Sequence, residues 1–173
     1  RGIIVPMVND KAQATAMVRA CKYSPEGDRS NAGIRGDWGD TKDYRDYLDT
    51  VNRDLLIVPM IETQQAIDNI DEILSTAKEL GVDMTQWGPA DYGFSRGNPD
   101  LMHTPDIRPA EELVIRKSLE YGIHPRIEMG GPETAKRYID LGVRHFCVGW
   151  DRFFYKSNLI QVGEGMQKVL EQL

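Results

Sequence analysis

Only two cysteines, Cys21 and Cys147, occur in the 173 residues. That is too few, and too widely spaced, for a disulfide framework or a thiolate metal site, so two reduced, buried thiols are expected. Histidine is scarce too: His103, His124 and His145 are all there are. No stretch approaches 18 continuous apolar residues and no signal-peptide pattern opens the chain, which predicts a cytoplasmic protein with no membrane partner. Positive charge is also in short supply. Lys and Arg number 21 against 27 Asp and Glu, for a formal net charge of −6. Nucleic acids are bound mainly through Lys and Arg, so the balance argues against that partner. Apolar content of 40% and charged content of 28% are ordinary and suit one domain with a sizeable core.

What is present is an alternation of strand and helix. "IIVPMV" (Ile3–Val8) reads as a strand, followed by an Asn9 or Asp10 cap and the helix "KAQATAMVRAC". A Gly-rich loop leads to a helix over about Thr41–Asn52. Strand Leu55–Ile61 precedes a helix over Gln64–Leu80, with Thr63 as N-cap and Gly81 as its stop. Val82–Trp87 is a strand and the residues after it, to Ile107, a loop. Pro109 opens a helix that ends at Gly122. His124–Met129 is a strand, and Pro132 opens a short helix that ends at Gly142. Strand Arg144–Trp150 and a helix over Asn158–Leu173 complete the pattern. Five strands each followed by helix make an α/β protein with a parallel sheet. At about 35 residues per unit, eight units would need roughly 250 residues. The chain is therefore a small open sheet or the last five-eighths of a (β/α)8 barrel.

Chemistry in such folds collects at the C-terminal ends of strands. Glu62 ends a buried strand there, and Asp91 follows the next one. Either alone could be a helix N-terminal acid favoured by the helix dipole. Together they would repel unless a cation or a shared proton lay between them, and oxygen-only ligation with few protein ligands suits Mg2+ or Mn2+. In "GPAD", Gly88 would let backbone approach a ligand, Pro89 stiffens the turn, and the amides of Ala90 and Asp91 are free to bind an anion. A metal beside two free N–H groups suits a 2-keto acid.

"IVPMVNDKAQATAMVRACKYSPEGDRS", "LLIVPMIET" and "GPADYG" together resemble the HpcH/HpaI aldolases, with "IET" and "GPAD" separated by 24 residues. The resemblance implies a (β/α)8 TIM barrel of which this chain supplies about strands 4–8, and Mg2+, Mn2+ or Co2+ on Glu62 and Asp91. It implies reversible aldol cleavage of a 4-hydroxy-2-keto acid to pyruvate and an aldehyde, with the substrate carboxylate on the Ala90 and Asp91 amides. It also implies a hexamer, a trimer of dimers, whose last helices are exchanged between neighbours. A citrate- or malyl-CoA-type lyase and a catalytically dead half-barrel that binds a partner are the alternatives.

Two departures mark this chain. Met60 stands where the family commonly carries Gln, and Trp150 where it has a smaller residue, which predicts a bulkier, more apolar acceptor side. The family's catalytic His and pyruvate-binding Arg lie on strands with no counterpart here, so no catalytic residue is assigned within the chain. His103, His124 and His145 are expected to be structural, and no Lys stands at a strand end for a Schiff base. Arg29 and Arg35 could reach an anionic substrate or a neighbouring subunit, or be surface ion pairs. "DRFFYK" (Asp151–Lys156) is expected in the core and at a subunit contact. Because Ile3–Val8 is apolar throughout, the expectation is that roughly 75–100 further residues precede it in the natural protein, from three more units at barrel spacing.

Overall fold

The computed structural model describes residues 1–34, 38–39 and 42–172. Arg35, the expected helix start at Thr41 and the expected helix end at Leu173 lie outside the described residues. Five strands form one parallel sheet in the order β1 (Gly2–Val5), β2 (Leu56–Ile61), β3 (Met84–Trp87), β4 (His124–Met129) and β5 (His145–Val148). Every connection steps to the adjacent strand, so the order never reverses. A doubly wound sheet has a reversal point; an arc of a barrel does not. With right-handed crossovers, unreversed order puts every intervening helix on the same face of the sheet.

Alternation along the strands separates the two faces. Ile57, Ile61, Trp87 and Ile127 point to the helices and join a single core with Ala14, Val18, Ile73, Leu74, Ala77, Val114 and Ile115. Thr85 belongs to this face and shares a buried 2.8 Å hydrogen bond with Ser118 of α6 (Arg108–Glu120). The other face carries Met60, Gln86, Arg126 and His145 in one row, as the register Met60↔Gln86, Gln86↔Arg126, Arg126↔His145 dictates. Two residues further along each strand, the next row is Glu62, Gly88, Glu128 and Cys147, of which Glu128↔Cys147 is paired directly.

Several boundaries differ from the sequence expectation, each for a local reason. β1 stops at Val5 because Pro6 offers no N–H and Met7 turns to φ 58°. The helix expected over Gln64–Leu80 is two segments, α3 (Gln64–Asp68) and α4 (Ile70–Glu79). They divide at Asn69, whose side-chain amide donates to the Asn9 carbonyl at 2.9 Å. Gly81, at φ 77°, ends α4 as expected. The expected loop after Trp87 contains α5 (Pro89–Ser95) and two 3-10 turns, Pro99–His103 and Pro105–Ile107. The last helix, α8 (Asp151–Leu170), starts seven residues earlier than expected, directly from the Trp150 cap. "DRFFYK" therefore lies on an exposed helix, with Phe153, Phe154 and Tyr155 all more than half exposed, and not in the core of the chain. Cys21 and Cys147 are half-buried, not buried. Ile3 and Ile4 of β1 are exposed. Among the described residues no helix is long and apolar enough to cross a membrane.

The segment between α1 (Lys11–Cys21) and α2 (Tyr44–Asp54) is anchored by one buried side chain. Asn52 accepts the Tyr23 N–H at 2.7 Å and donates to the Tyr23 carbonyl at 2.9 Å. Leucine fills a similar volume but leaves the buried Tyr23 N–H unpaired, while the Tyr23 carbonyl keeps the N–H groups of Glu26 and Gly27. Asn52→Leu is expected to cost about 2–3 kcal/mol, read as a lowered midpoint in urea denaturation with an unchanged slope.

Candidate active site

Glu62, the residue after β2, is only 1% exposed. Its Oε1 accepts the backbone N–H of Met7 at 2.7 Å. Its Oε2 is buried and has no hydrogen-bond partner among the described residues. A carboxylate oxygen left in that state is costly, by about 1–3 kcal/mol or more for a charged group, so the site is built around an unmet need for a cation or a proton.

Met7 is the only described non-glycine residue with positive φ. The left-handed conformation costs about 1–2 kcal/mol and persists only where the surroundings over-determine it. Here they do. Thr63 Oγ1 caps α3 by accepting the Ala66 N–H at 3.0 Å and also bonds Asn9 Oδ1. Asn69 holds the Asn9 carbonyl from the other side. The turn after β1 and the turn after β2 are thus tied together, and the tie aims the Met7 amide at Glu62.

Gly88 is required by space rather than by dihedral angle, its φ being −116°. A Cβ there would run into Glu62 Oε2 and stand 2.6 Å from Glu62 Cβ and 3.0 Å from Met60 Sδ. The close approach it permits is that of the Glu62 side chain. Pro89 opens α5, and Ala90 and Asp91 follow it in the first turn, where backbone N–H groups have no intrahelical acceptor. Asp91 is exposed at the residue level and lies close enough to Glu62 for the two carboxyl groups to interact.

Burial pushes the Glu62 pKa above its ordinary value, the Met7 N–H opposes that, and the like charge of Asp91 raises it again. A proton shared with Asp91 would turn repulsion into a hydrogen bond, which acts in the same direction. Among the described residues no group of three or more His, Cys, Asp or Glu side chains converges. The donor set is two carboxylates, one with a buried, unpartnered oxygen, and it fits a hard divalent ion such as Mg2+ or Mn2+ that keeps most of its own water.

The remaining expected residues are placed as follows. Met60 lies one inward row below Glu62, with its sulfur beside Gly88. Trp150 caps α8, is 44% exposed and stacks with Phe153 and Arg152. No contact joins Trp150 to Glu62 or Asp91 in this chain. His124 and His145 pack ring to ring, 5.3 Å between centroids, at the starts of their strands, and His103 is exposed. Arg29 lies over the Tyr23 ring and donates to the Cys21 carbonyl. Lys22 is buried but bonds Glu26 and the Leu80 carbonyl at the C-terminal ends of α1 and α4, the opposite end of the strands from Glu62.

Two charged residues escaped the sequence reading. Arg126 and Glu128 alternate with Pro125 and Ile127 on β4 and so point inward, paired with one another at 3.1 Å. Arg126 also bonds the buried Gln86 side chain, whose amide donates to the Trp87 carbonyl at 2.9 Å. The signal was legible: charge at every second position of a strand marks a wet inner face. A cavity of about 360 Å3 lies at the ends of β3 and β4 on the helix side of the sheet, between Trp87 and Ile127 and the helix residues Arg108, Glu111, Arg137 and Tyr138.

Comparison with known proteins shows a match over residues 1–151 to the family described as HpcH/HpaI aldolase/citrate lyase. The chain is 32% identical over 149 residues to a 4-hydroxy-2-oxo-heptane-1,7-dioate aldolase of Klebsiella pneumoniae, covering 86% of this chain and 55% of that protein. It is 30% identical over 162 residues to a 2-keto-3-deoxy-L-rhamnonate aldolase of Escherichia coli, covering 92% and 58%. An HpcH/HpaI aldolase/citrate lyase family protein from Burkholderia cenocepacia superposes with a TM-score of 0.78 at 26% identity, covering 96% of this chain and 65% of that one. The chain spans just over half the length of the curated relatives it matches.

Glu62→Gln separates the cost of the site from its use. A carboxyl group with a raised folded-state pKa contributes stability that is present below its unfolded pKa and lost as pH rises through the folded value. Gln keeps the Met7 hydrogen bond and carries no charge. In metal-free buffer the variant should melt above the native protein at pH 7.5, and the advantage should vanish near pH 4. Equal melting temperatures at both pH values would show that Glu62 carries no electrostatic cost.

Proposed function

Because the chain belongs to the HpcH/HpaI aldolase/citrate lyase family, we propose that it forms the metal-binding side of a (β/α)8 barrel, contributing about strands 4–8. The reaction is reversible aldol cleavage of a 4-hydroxy-2-keto acid to pyruvate and an aldehyde. The observation that carries the proposal is the buried, unpartnered Oε2 of Glu62 with Asp91 beside it at the C-terminal ends of adjacent strands. The curated relatives named above are aldolases, and their matched segments cover most of this chain.

In this reading Glu62 and Asp91 hold the divalent metal, Mg2+, Mn2+ or Co2+. The bound ion supplies Lewis acidity to the 2-keto group, which acidifies the neighbouring C–H and eases breaking of the bond to the hydroxyl-bearing carbon. The Ala90 and Asp91 amides take the substrate carboxylate, and the Pro89 turn fixes their direction. Gly88 leaves the room that Glu62 occupies, and Met7 fixes which Glu62 oxygen is free. Met60 lies below the reacting carbons, and Trp150 belongs to the acceptor side. No residue of the chain is assigned the proton transfer; that role falls to the family's catalytic His, which, like the family's pyruvate-binding Arg, has no counterpart in this sequence. The assembly is a cytoplasmic hexamer, a trimer of dimers.

Replacing either Glu62 or Asp91 by Ala should abolish Mn2+ binding in calorimetric titration, and unchanged affinity in both variants would remove the basis of the mechanism. Gly88→Ala tests the packing of the same site, because the new Cβ must displace Glu62. It should weaken Mn2+ by roughly tenfold or more, about 1.4 kcal/mol. Trp150→Ala should change the ranking of acceptor aldehydes in kcat/KM, by about 1–3 kcal/mol of discrimination, and an identical ranking would place Trp150 outside the acceptor pocket.

A further inference from the structure

The inward row that ends in Glu62 continues across the sheet as Gly88, Glu128 and Cys147. Glu62 and Glu128 are therefore two strands apart at the same height, roughly 10 Å between backbones at the usual strand spacing. The residue between them is a glycine, and the Glu62 side chain extends into the space over it, toward Glu128. Glu62 is the buried half of the metal pair. Glu128 has its own cation: Arg126 lies beneath it at 3.1 Å and is itself braced against Gln86. Glu128 is thus a fixed hydrogen-bond acceptor, partly exposed, on the same inward row as Glu62 and facing the space beside the metal pair.

Resting on the aldolase reading above, we propose that Glu128 is the acceptor-side recognition group. It selects an uncharged, hydroxylated aldehyde over one that carries a carboxylate. A carboxylate accepts hydrogen bonds from hydroxyl groups, and it repels a second carboxylate brought into the same poorly solvated row. The two kinds of curated relative act on substrates that differ in this respect. Cleaving a 4-hydroxy-2-oxo-heptane-1,7-dioate leaves an aldehyde with a terminal carboxylate, and cleaving a 2-keto-3-deoxy-L-rhamnonate leaves a neutral hydroxyaldehyde. Glu128 places this chain with the second. The cations near the cavity do not reverse the choice. Arg137 is held by Glu111 at 2.6 Å and by Glu112 at 2.9 Å, while Arg108 is exposed, where its charge is screened by water. The apolar acceptor side expected from Met60 and Trp150 thereby gains a charged wall.

The test is the aldol direction with pyruvate and Mn2+, run on the full-length natural protein so that any strands preceding β1 are included, comparing glyceraldehyde with succinic semialdehyde as acceptors. The native protein should favour glyceraldehyde in kcat/KM by roughly tenfold or more. Glu128→Gln should bring the two acceptors within about threefold by lowering KM for succinic semialdehyde, and Glu128→Asp should keep the native preference. A native preference for succinic semialdehyde overturns the proposal without any variant. So does a glyceraldehyde preference that Glu128→Gln leaves unaltered. Mn2+-dependent exchange of the pyruvate methyl protons in D2O, measured on the native protein, separates the two levels of argument. Exchange with no Glu128 effect sinks only the acceptor assignment; no exchange sinks the aldolase reading, and this inference with it.

Discussion

A carboxylate taken out of water with only half of its hydrogen bonding met is the constraint around which this molecule is organised. Glu62 has one oxygen on the Met7 amide and the other on nothing. Each neighbouring peculiarity answers to it. Gly88 is small because the Glu62 side chain fills the space a Cβ would take. Met7 holds a left-handed backbone because its N–H must turn back toward the strand, and Asn9, Thr63 and Asn69 form the tie that keeps it there. The kink that divides α3 from α4 falls at Asn69 for the same reason. Stability is given up at one carboxyl group, whose buried oxygen is left open to a proton or a cation.

The separation of core from site follows from the two-residue period of the strands. One face of the sheet meets helices and is apolar almost throughout, with Thr85 and Ser118 paired so that neither hydroxyl is left unmet. The opposite face is charged or polar at several successive positions: Glu62, Gln86, Arg126, Glu128 and His145. Burying such a set against helices would cost far more than any packing gain, so these residues belong to a surface that water or a ligand reaches. Because every strand is parallel, all of them present their C-terminal ends on the same side, where Glu62, the Gly88–Asp91 turn and Glu128 come together.

Local patterns alone determined the strand and helix alternation, the Thr63 cap, the Gly81 stop and the position of Glu62 and Asp91 at strand ends. These depend on interactions between residues a few positions apart, which the order of the chain already contains. Its boundaries failed where a distant partner intervened. Asn69 breaks a helix that its neighbours would have continued, because a carbonyl sixty positions away needs its amide. Pro89 and its followers form helix rather than loop because Gly88 has delivered them over Glu62.

Only the tertiary structure decided three things. The unreversed strand order made the sheet an arc, since nothing in a single βα unit specifies which side its successor joins. The Met7 amide became the partner of Glu62, a pairing across 55 positions that no spacing rule reaches. Arg126 and Glu128 turned from two charges on a strand into an inward-facing ion pair braced on Gln86, because register with β3 and β5 is set by cross-strand hydrogen bonds that form only when the strands meet. Sequence carried the chemistry of each group; distance and direction between groups came from the sheet.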